Sequence, residues 1–204
     1  VLYIEKNSLK NEKKISVKYN ITSNFTHIPK DFIEFAQKYD ISVLIDIDGD
    51  CKIHNSMRPM RGGKPSYDKI ISNIKKLENS NIHYEIRSTV TSENVGSISE
   101  ISKIHKSLKG SACAFPTLTP VDSEGTILDP EMYPDPKVYF SEINKIIKNE
   151  DYSLSNICPS NVIAQRILKR ELVKYDCGML VGNTLAVTHD GYVYPCIYFI
   201  GQED

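Results

Sequence analysis

Short apolar segments alternate along most of the chain between a spacing typical of strands and a spacing typical of helices. Four segments rich in β-branched or aromatic residues predict strands over 13–22, 41–48, 82–91 and 111–120. The segments between them carry apolar residues at helical spacing, which predicts helices over 29–40, 66–80 and 94–110. This alternation is typical of βαβ units and predicts an α/β fold with a parallel sheet.

The alternation breaks after residue 120. A turn-rich segment over 121–135 precedes two predicted helices over 136–149 and 160–175. The sequence His189-Asp190-Gly191 then lies between two β-prone runs, which predicts a β-hairpin.

Composition narrows the choice of partners and compartment. The 204 residues carry a formal net charge of -1, so no basic excess indicates a nucleic-acid partner. No apolar run approaches the length of a membrane span, and the first residues do not resemble a signal peptide. Five cysteines without a secretory signal favour a reducing compartment. We therefore expect a cytoplasmic protein that binds neither nucleic acid nor membrane.

Polar residues follow the predicted strands. They are Asn24, then Asp46 and Asp48, then Arg87, and then the threonines that end the fourth strand. The carboxyl ends of parallel strands lie at one edge of the sheet, where α/β proteins place their sites. Any one of these residues taken alone is more often a helix cap or a turn residue.

The segment 48–68 is long for a connection between a strand and a helix, and we predict a loop. A guanidinium fork matches the two oxygens of a carboxylate or a phosphate. Arg58 is the better candidate for that role, and Arg61 is expected in solvent. We expect a structural hydrogen bond at His54, because no second histidine stands at metal-ligand spacing.

The cysteines fall into two groups. Cys51 and Cys158 are predicted in loops, and Cys113 lies inside an apolar strand. Cys177 and Cys196 flank the predicted hairpin, which would bring them together. On spacing alone, they are equally well interpreted as half of a four-thiolate site for zinc or an iron–sulfur cluster, or as two unrelated thiols.

Five stretches, taken in order, resemble one family. They are "ITSNFT", "LIDIDGDCKIHNSMRP", "GGKPSYDKIISNIKKL", "RSTVTSENVGSISEI" and "CGMLVGNTLAVTHDGYVYPCIYFIG". They are similar to the successive motifs of radical S-adenosylmethionine (SAM) enzymes that carry a cysteine-rich SPASM extension. The resemblance covers roughly residues 13–201.

The resemblance implies an incomplete (β/α) barrel of the radical SAM type. Residues 1–135 would supply strands three to six of a partial (β/α)6 barrel, and residues 136–176 would be linking helices. Residues 177–204 would begin the SPASM extension with its β-hairpin.

The resemblance also implies a function. Relatives of this kind are maturases that act on ribosomal peptides, for example by forming thioethers, or on sulfatases. A 5′-deoxyadenosyl radical, made from SAM at a [4Fe–4S] cluster, removes hydrogen from the peptide or protein substrate. Two or three such clusters are implied.

The family motifs carry site residues onto this sequence. Asn24, Asp46, Asp48 and Arg58 would face the SAM pocket, with Arg58 at the SAM carboxylate. Arg87 would stand on the same rim. Cys177 and Cys196 would ligate an auxiliary cluster. We identify no catalytic acid or base.

The sequence departs from the family in several places. No CxxxCxxC motif for the radical cluster is present. Asp46 stands where the family has serine, and Phe25 stands where it has glycine. Ile197 follows Cys196 where sulfatase maturases tend to carry an acidic residue, which favours peptide maturation.

We therefore expect the middle of a longer peptide maturase, inactive as an isolated fragment, with its remaining cluster ligands elsewhere. The unpaired edge of the incomplete sheet predicts dimerisation. A sulfatase-type maturase is the nearest alternative. A degenerate peptide-binding module without catalysis and an α/β protein with a structural zinc are the others.

Overall fold

The computed structural model describes residues 17–110, 113–117, 128–149, 157–158, 185–196 and 199–200. Within these residues, five parallel strands form one sheet and lie side by side in chain order. The strands are β1 (Tyr19–Ser23), β2 (Ile41–Asp46), β3 (Tyr84–Arg87), β4 (Cys113–Ala114) and β5 (Ile157–Cys158). Sequential parallel strands with intervening helices are the arrangement of a (β/α) barrel. The predicted fold class is confirmed.

Within the described residues, the helices are α1 (Phe32–Lys38), α2 (Cys51–Met57), α3 (Tyr67–Glu78), α4 (Ile98–Ser107) and α5 (Pro136–Lys148), with 3-10 turns at Val95–Ser97 and Pro130–Met132. The apolar spacing predicts all of these helices except α2, and their observed bounds are shorter than predicted. The Asp135 side chain caps α5 by accepting hydrogen bonds from the backbone N–H groups of Lys137 and Val138. The helix predicted over 160–175 lies outside the described residues.

Two apolar clusters form the core of the described part of the chain. The larger one lies where β1, β2 and β3 meet α1 and α3, and it includes the fully buried Ile45, Ile74 and Ile86. The smaller one joins α4 and α5 around Phe115 and Ile143. Apolar residues that directly follow the strands, such as Ile47 after β2 and Phe115 after β4, belong to these clusters and alternate with the polar residues at the carboxyl ends.

The prediction of a loop over 48–68 is wrong in part, because α2 lies inside it. The Asp50 carboxylate accepts a hydrogen bond from the Ile53 N–H at 2.8 Å and so begins the helix. Gly49 permits close packing on α2, because a Cβ there would lie 2.7 Å from a methyl group of Ile53. The seven residues of α2 are mostly polar, so no helical apolar pattern marks them.

A short strand was also not predicted. Cys158 belongs to β5, which pairs with β4 in parallel register, so its placement in a loop is wrong. Two paired residues are too few for an alternating pattern to appear in the sequence. The sheet thus includes residues beyond 135, and the domain boundaries at 135 and 176 stay predictions.

The predicted hairpin near the end of the chain is confirmed. Strands β6 (Ala186–Val187) and β7 (Val193–Tyr194) pair antiparallel. Gly191 has φ +92° in the turn between them, a conformation that glycine adopts without steric cost. A bond from the Thr188 N–H to the Tyr192 carbonyl, 2.9 Å long, closes the turn.

Strand β1 is the last strand of the sheet on its side, within the residues that the structure describes. The exposed Ile21 lies at its centre.

Within the described residues, no helix is both long and apolar enough to span a membrane.

Candidate functional site

Four charged side chains form a connected network at the carboxyl ends of β2 and β3. Asp46 ends β2 and is the register partner of Arg87, which ends β3. The Arg87 guanidinium donates from Nε to Asp46 Oδ1 at 2.7 Å and from Nη2 to Asp46 Oδ2 at 3.1 Å. This two-point contact raises the pKa of Arg87 above its usual value. Asp46 and Arg87, which the sequence places at the carboxyl ends of successive strands, are thus in direct contact.

Arg58 joins the network from the segment after α2. Its Nε donates to the Asp48 carboxylate, its Nη1 to Asp46 Oδ2 at 3.2 Å, and its Nη2 to the Thr89 hydroxyl at 3.2 Å. Among the described residues, these contacts use three of the five guanidinium N–H groups and leave two for a ligand. The Arg58 side chain is 33% exposed, so part of it is accessible from solvent.

Asp48 is the buried centre of the network. Its side chain is only 1% exposed. One carboxylate oxygen contacts Arg58, and the other accepts from the Thr89 N–H at 2.8 Å. With both oxygens paired, Asp48 orients Arg58 and the chain after β3 rather than standing open to a ligand.

The backbone of Arg58 is fixed as well. The Ser66 hydroxyl donates to the Arg58 carbonyl at 2.6 Å. The Asn55 side chain accepts from the N–H groups of Ser66 and Tyr67 at 2.8 and 3.0 Å, and so caps α3 from α2. These bonds tie the segment that carries Arg58 to the two helices on either side of it.

A buried asparagine joins the two strand ends. Asn94 Nδ2 donates to the carbonyls of Asp48 and Thr89 at 2.9 and 3.0 Å, and its Oδ1 accepts from the Thr91 N–H at 2.8 Å. Asn94 is completely buried. The sequence did not identify it as a site residue, although it lies inside the "RSTVTSEN" stretch.

His54 has the structural role that the sequence predicts. Its Nδ1 accepts a hydrogen bond from the Asp48 N–H at 3.2 Å, so the neutral ring carries its proton on Nε2. Burial lowers the pKa of His54 against the opposing charge of Asp48. Arg61 is exposed, as predicted.

An open cleft of about 430 Å³ borders this network. Its walls combine the polar groups of the rim with two methionine side chains. They include Asp48, Met57, Arg58, Thr89, Thr91 and Met132. A hydrogen bond from the Ser92 N–H to the Met132 carbonyl, 3.0 Å long, holds the far wall against the chain after β3.

Asn24 stands apart from the network. It follows β1 and is exposed, and its Oδ1 accepts from the N–H and hydroxyl of Thr26 at 3.3 and 3.1 Å. The adjacent Phe25 is buried and has φ +53°. The Asn73 side chain donates to the Phe25 carbonyl at 2.9 Å. A role for Asn24 in binding SAM stays a prediction.

The predicted cluster ligands lie at the other end of the chain. Cys177 is outside the described residues, and Cys196 is a free, half-buried thiol just after β7. Among the described residues, no group of three or more His, Cys, Asp or Glu side chains could hold a metal ion. Ligation by Cys177 and Cys196 therefore stays a prediction.

A second buried histidine supports the rim from below. His105 Nε2 lies 3.1 Å from the Ile47 carbonyl and 2.9 Å from the Ser88 hydroxyl, and the ring stacks on Phe115. Burial lowers the pKa of His105 to about 4. The ring is therefore neutral near pH 7.

Comparison with known proteins identifies relatives. No protein-family model matches the sequence. The chain is 28% identical to a cysteine-type anaerobic sulfatase-maturating enzyme of Clostridium novyi, over 95% of this chain and 53% of that protein. It is 27% identical to an uncharacterized protein of Methanocaldococcus jannaschii, over 91% of this chain and 59% of that one.

Comparison with solved structures identifies proteins that share the fold of this chain. The structure of anSMEcpe with bound AdoMet matches with a TM-score of 0.75 and 21% identity, over 98% of this chain and 55% of that chain. SuiB of Streptococcus suis, bound to its precursor peptide SuiA, matches with a TM-score of 0.67 and 19% identity, over 96% and 45%.

The chain has the fold of the radical SAM maturases. It is homologous to the sulfatase maturase of C. novyi. The predicted family resemblance is confirmed. The chain spans a little over half of that enzyme's length, 53%.

Proposed function

We propose that the full-length protein is a radical SAM maturase, and that this chain binds the amino-acid end of SAM. The observation that carries the proposal is Arg58, which is held at a strand-end cleft with two guanidinium N–H groups still available among the described residues. Homology to a sulfatase maturase supports an enzyme rather than a binding module without catalysis.

The residues at the cleft fit SAM. The Arg58 guanidinium keeps one N–H on each of Nη1 and Nη2 among the described residues, and a cationic donor of this kind suits a carboxylate. Thr89 and Thr91, which line the cleft, offer neutral polar contacts. Met57 and Met132 supply apolar walls that adapt to an irregular ligand. When bound and reductively cleaved, SAM supplies a 5′-deoxyadenosyl radical that removes hydrogen from a substrate.

Each residue of the network has a part in this proposal. Arg58 binds the SAM carboxylate, and Asp48 holds the guanidinium and the Thr89 backbone in place. Asp46 and Arg87 complete the charged rim. Asn24, which follows β1, faces the SAM pocket in this proposal, as the family resemblance implies.

The described residues do not fit a [4Fe–4S] cluster, because no sufficient ligand group occurs among them. Cys177 and Cys196 are proposed as two ligands of an auxiliary cluster, on the family resemblance and on the confirmed hairpin between them. This proposal requires further ligands elsewhere in the protein.

A peptide is the proposed substrate. The matched structures include anSMEcpe with bound AdoMet and the Kp18Cys peptide, and SuiB with its precursor peptide. Ile197, which replaces the acidic residue expected of sulfatase maturases, favours a ribosomal peptide. Homology to the C. novyi enzyme favours a sulfatase-type protein substrate as the second candidate.

A cytoplasmic location is proposed from the cysteine usage.

The test uses the full-length protein purified without oxygen. We expect about eight to twelve irons per chain, as two or three [4Fe–4S] clusters require, and SAM-dependent formation of 5′-deoxyadenosine in the presence of a reductant. A reconstituted full-length protein that holds no iron would contradict the proposal. Stoichiometric zinc in its place would support a structural zinc protein.

A further inference from the structure

We infer that the Asp46–Arg87 pair is a positioning device that sets the direction and the effective charge of Arg58. The inference rests on the proposed function, in which Arg58 binds the carboxylate of SAM. It assigns to Asp46 and Arg87 a role through Arg58 rather than a contact with the ligand.

The sharing of one carboxylate oxygen carries the inference. Asp46 Oδ2 accepts from Arg87 Nη2 at 3.1 Å and from Arg58 Nη1 at 3.2 Å. Asp46 Oδ1 accepts the shorter bond from Arg87 Nε, 2.7 Å long. The Asp46 carboxylate is therefore bound mainly by Arg87, and its hold on Arg58 is the weaker one.

Burial makes this sharing effective. The Asp46 side chain is 7% exposed, whereas the two arginines are 33% and 30% exposed. Water therefore screens the carboxylate poorly, and its charge acts strongly on the guanidinium groups that touch it. The register between β2 and β3 fixes the distance between Asp46 and Arg87, because both residues end paired strands.

Charge counting gives the consequence. Asp46 and Asp48 carry two negative charges, and Arg58 and Arg87 carry two positive charges, so the network is neutral. Without the charge of Arg87, two carboxylates would face Arg58 and oppose a third from a ligand. Without the charge of Asp46, the network would be positive and would favour a ligand carboxylate.

The two substitutions should therefore act in opposite directions. Arg87→Gln should weaken the preference for a carboxylate, and Asp46→Asn should strengthen it. A merely structural pair would not behave in this way, because breaking it from either side would loosen Arg58 and weaken binding in both cases.

The test measures the dissociation constants of SAM and of decarboxylated SAM for the full-length, anaerobically reconstituted protein. The ratio of the two constants isolates the contribution of the ligand carboxylate. We expect Asp46→Asn to raise the preference for SAM about fivefold and Arg87→Gln to lower it about fivefold. Both effects should shrink in high salt. Arg87→Lys keeps the charge and should restore most of the preference.

Two variants are matched controls. Asp40→Asn removes a carboxylate charge at the opposite end of β2, where asparagine also tolerates the observed φ of +50°. Arg61→Gln removes an exposed arginine from the same segment as Arg58. Neither should change the preference by more than about twofold.

Shifts in the same direction for Asp46→Asn and Arg87→Gln, or no shift in either, would overturn the inference while leaving the proposed function in place. A wild-type protein with no preference for SAM over its decarboxylated form would overturn both. Unchanged preference in Arg58→Gln would identify the proposed role of Arg58 as the step that fails.

Discussion

Asp46 and Arg87 lie opposite each other at the carboxyl ends of neighbouring parallel strands, and Arg87 contacts both carboxylate oxygens of Asp46. The same carboxylate also contacts Arg58, which enters from a different segment of the chain. One strand-end position thus connects the sheet to the residue that is proposed to bind SAM.

Asn94→Ala should lower the free energy of unfolding by about 2–3 kcal/mol. The change leaves the Asp48 and Thr89 carbonyls and the Thr91 N–H without the partner that they have in the buried interior. Urea unfolding measures the difference. Asn79→Ala, at an exposed helix end, is the control and should cost less than about 0.5 kcal/mol. Equal effects at both positions would contradict the role assigned to Asn94.

Phe25→Gly should be less destabilising than Phe25→Ala by about 1 kcal/mol. Both variants lose the buried ring, but only glycine adopts φ +53° without strain. Glycine is usually the more destabilising of these two residues, so the expected order is reversed at Phe25. Ala36→Gly, in the buried face of α1, shows the usual order and should cost about 1 kcal/mol. Thermal unfolding of the variants compares them. An alanine variant as stable as the glycine variant would show that the backbone at Phe25 is not strained.

Stability should fall as the pH is lowered from about 6.5 towards 4, in part because of His105. Burial lowers the pKa of His105 to about 4, whereas the unfolded chain has the ordinary value of 6.5. The unfolded state therefore binds more protons in this window, and protonation favours unfolding. The contribution of the neutral His105 to the free energy of unfolding is fully present above pH 6.5 and is lost as the pH falls to about 4.

The check compares urea unfolding of the wild type and of His105→Gln at pH 7 and pH 4.5. Glutamine can still donate to the Ile47 carbonyl but does not titrate. We expect the variant to lose about 2 kcal/mol less than the wild type between these two pH values. The same loss in both proteins would show that His105 does not titrate with folding.

Ile21→Lys should reduce self-association of the 204-residue chain. Strand β1 is an edge of the described sheet, and an exposed apolar residue at its centre favours pairing with another copy. Light scattering at increasing concentration measures the effect. Phe140→Lys, on the exposed face of α5, is the control for added charge. A wild-type chain that stays monomeric at the highest concentration would contradict the predicted dimer.

The rim could be predicted from the sequence because its position depends only on the order of strands and helices along the chain. Alternating strands and helices indicate a parallel sheet, and residues such as Asp46 and Arg87 that end its strands share one edge. The hairpin followed in the same way from the Asp-Gly turn. These features require only the pattern of the chain and general rules of topology.

Other parts of the site depend on packing that no local pattern records. Helix α2 has few apolar residues, and only Asp50 as a cap marks where it begins. The Asn55 side chain caps α3 from α2, whereas the hydroxyl of the N-cap residue Ser66 donates to the Arg58 carbonyl. Asn94 donates to the Asp48 carbonyl, which lies 46 residues earlier in the chain. Such contacts appear only once the elements are assembled.

The most direct test of the account is SAM binding by the full-length protein, reconstituted without oxygen, in wild-type form and as Arg58→Gln and Arg61→Gln. We predict that Arg58→Gln loses at least about tenfold in affinity for SAM, because a charge-assisted contact with the ligand carboxylate disappears. Arg61→Gln should stay within about twofold of the wild type. Equal affinity in all three proteins would contradict the account.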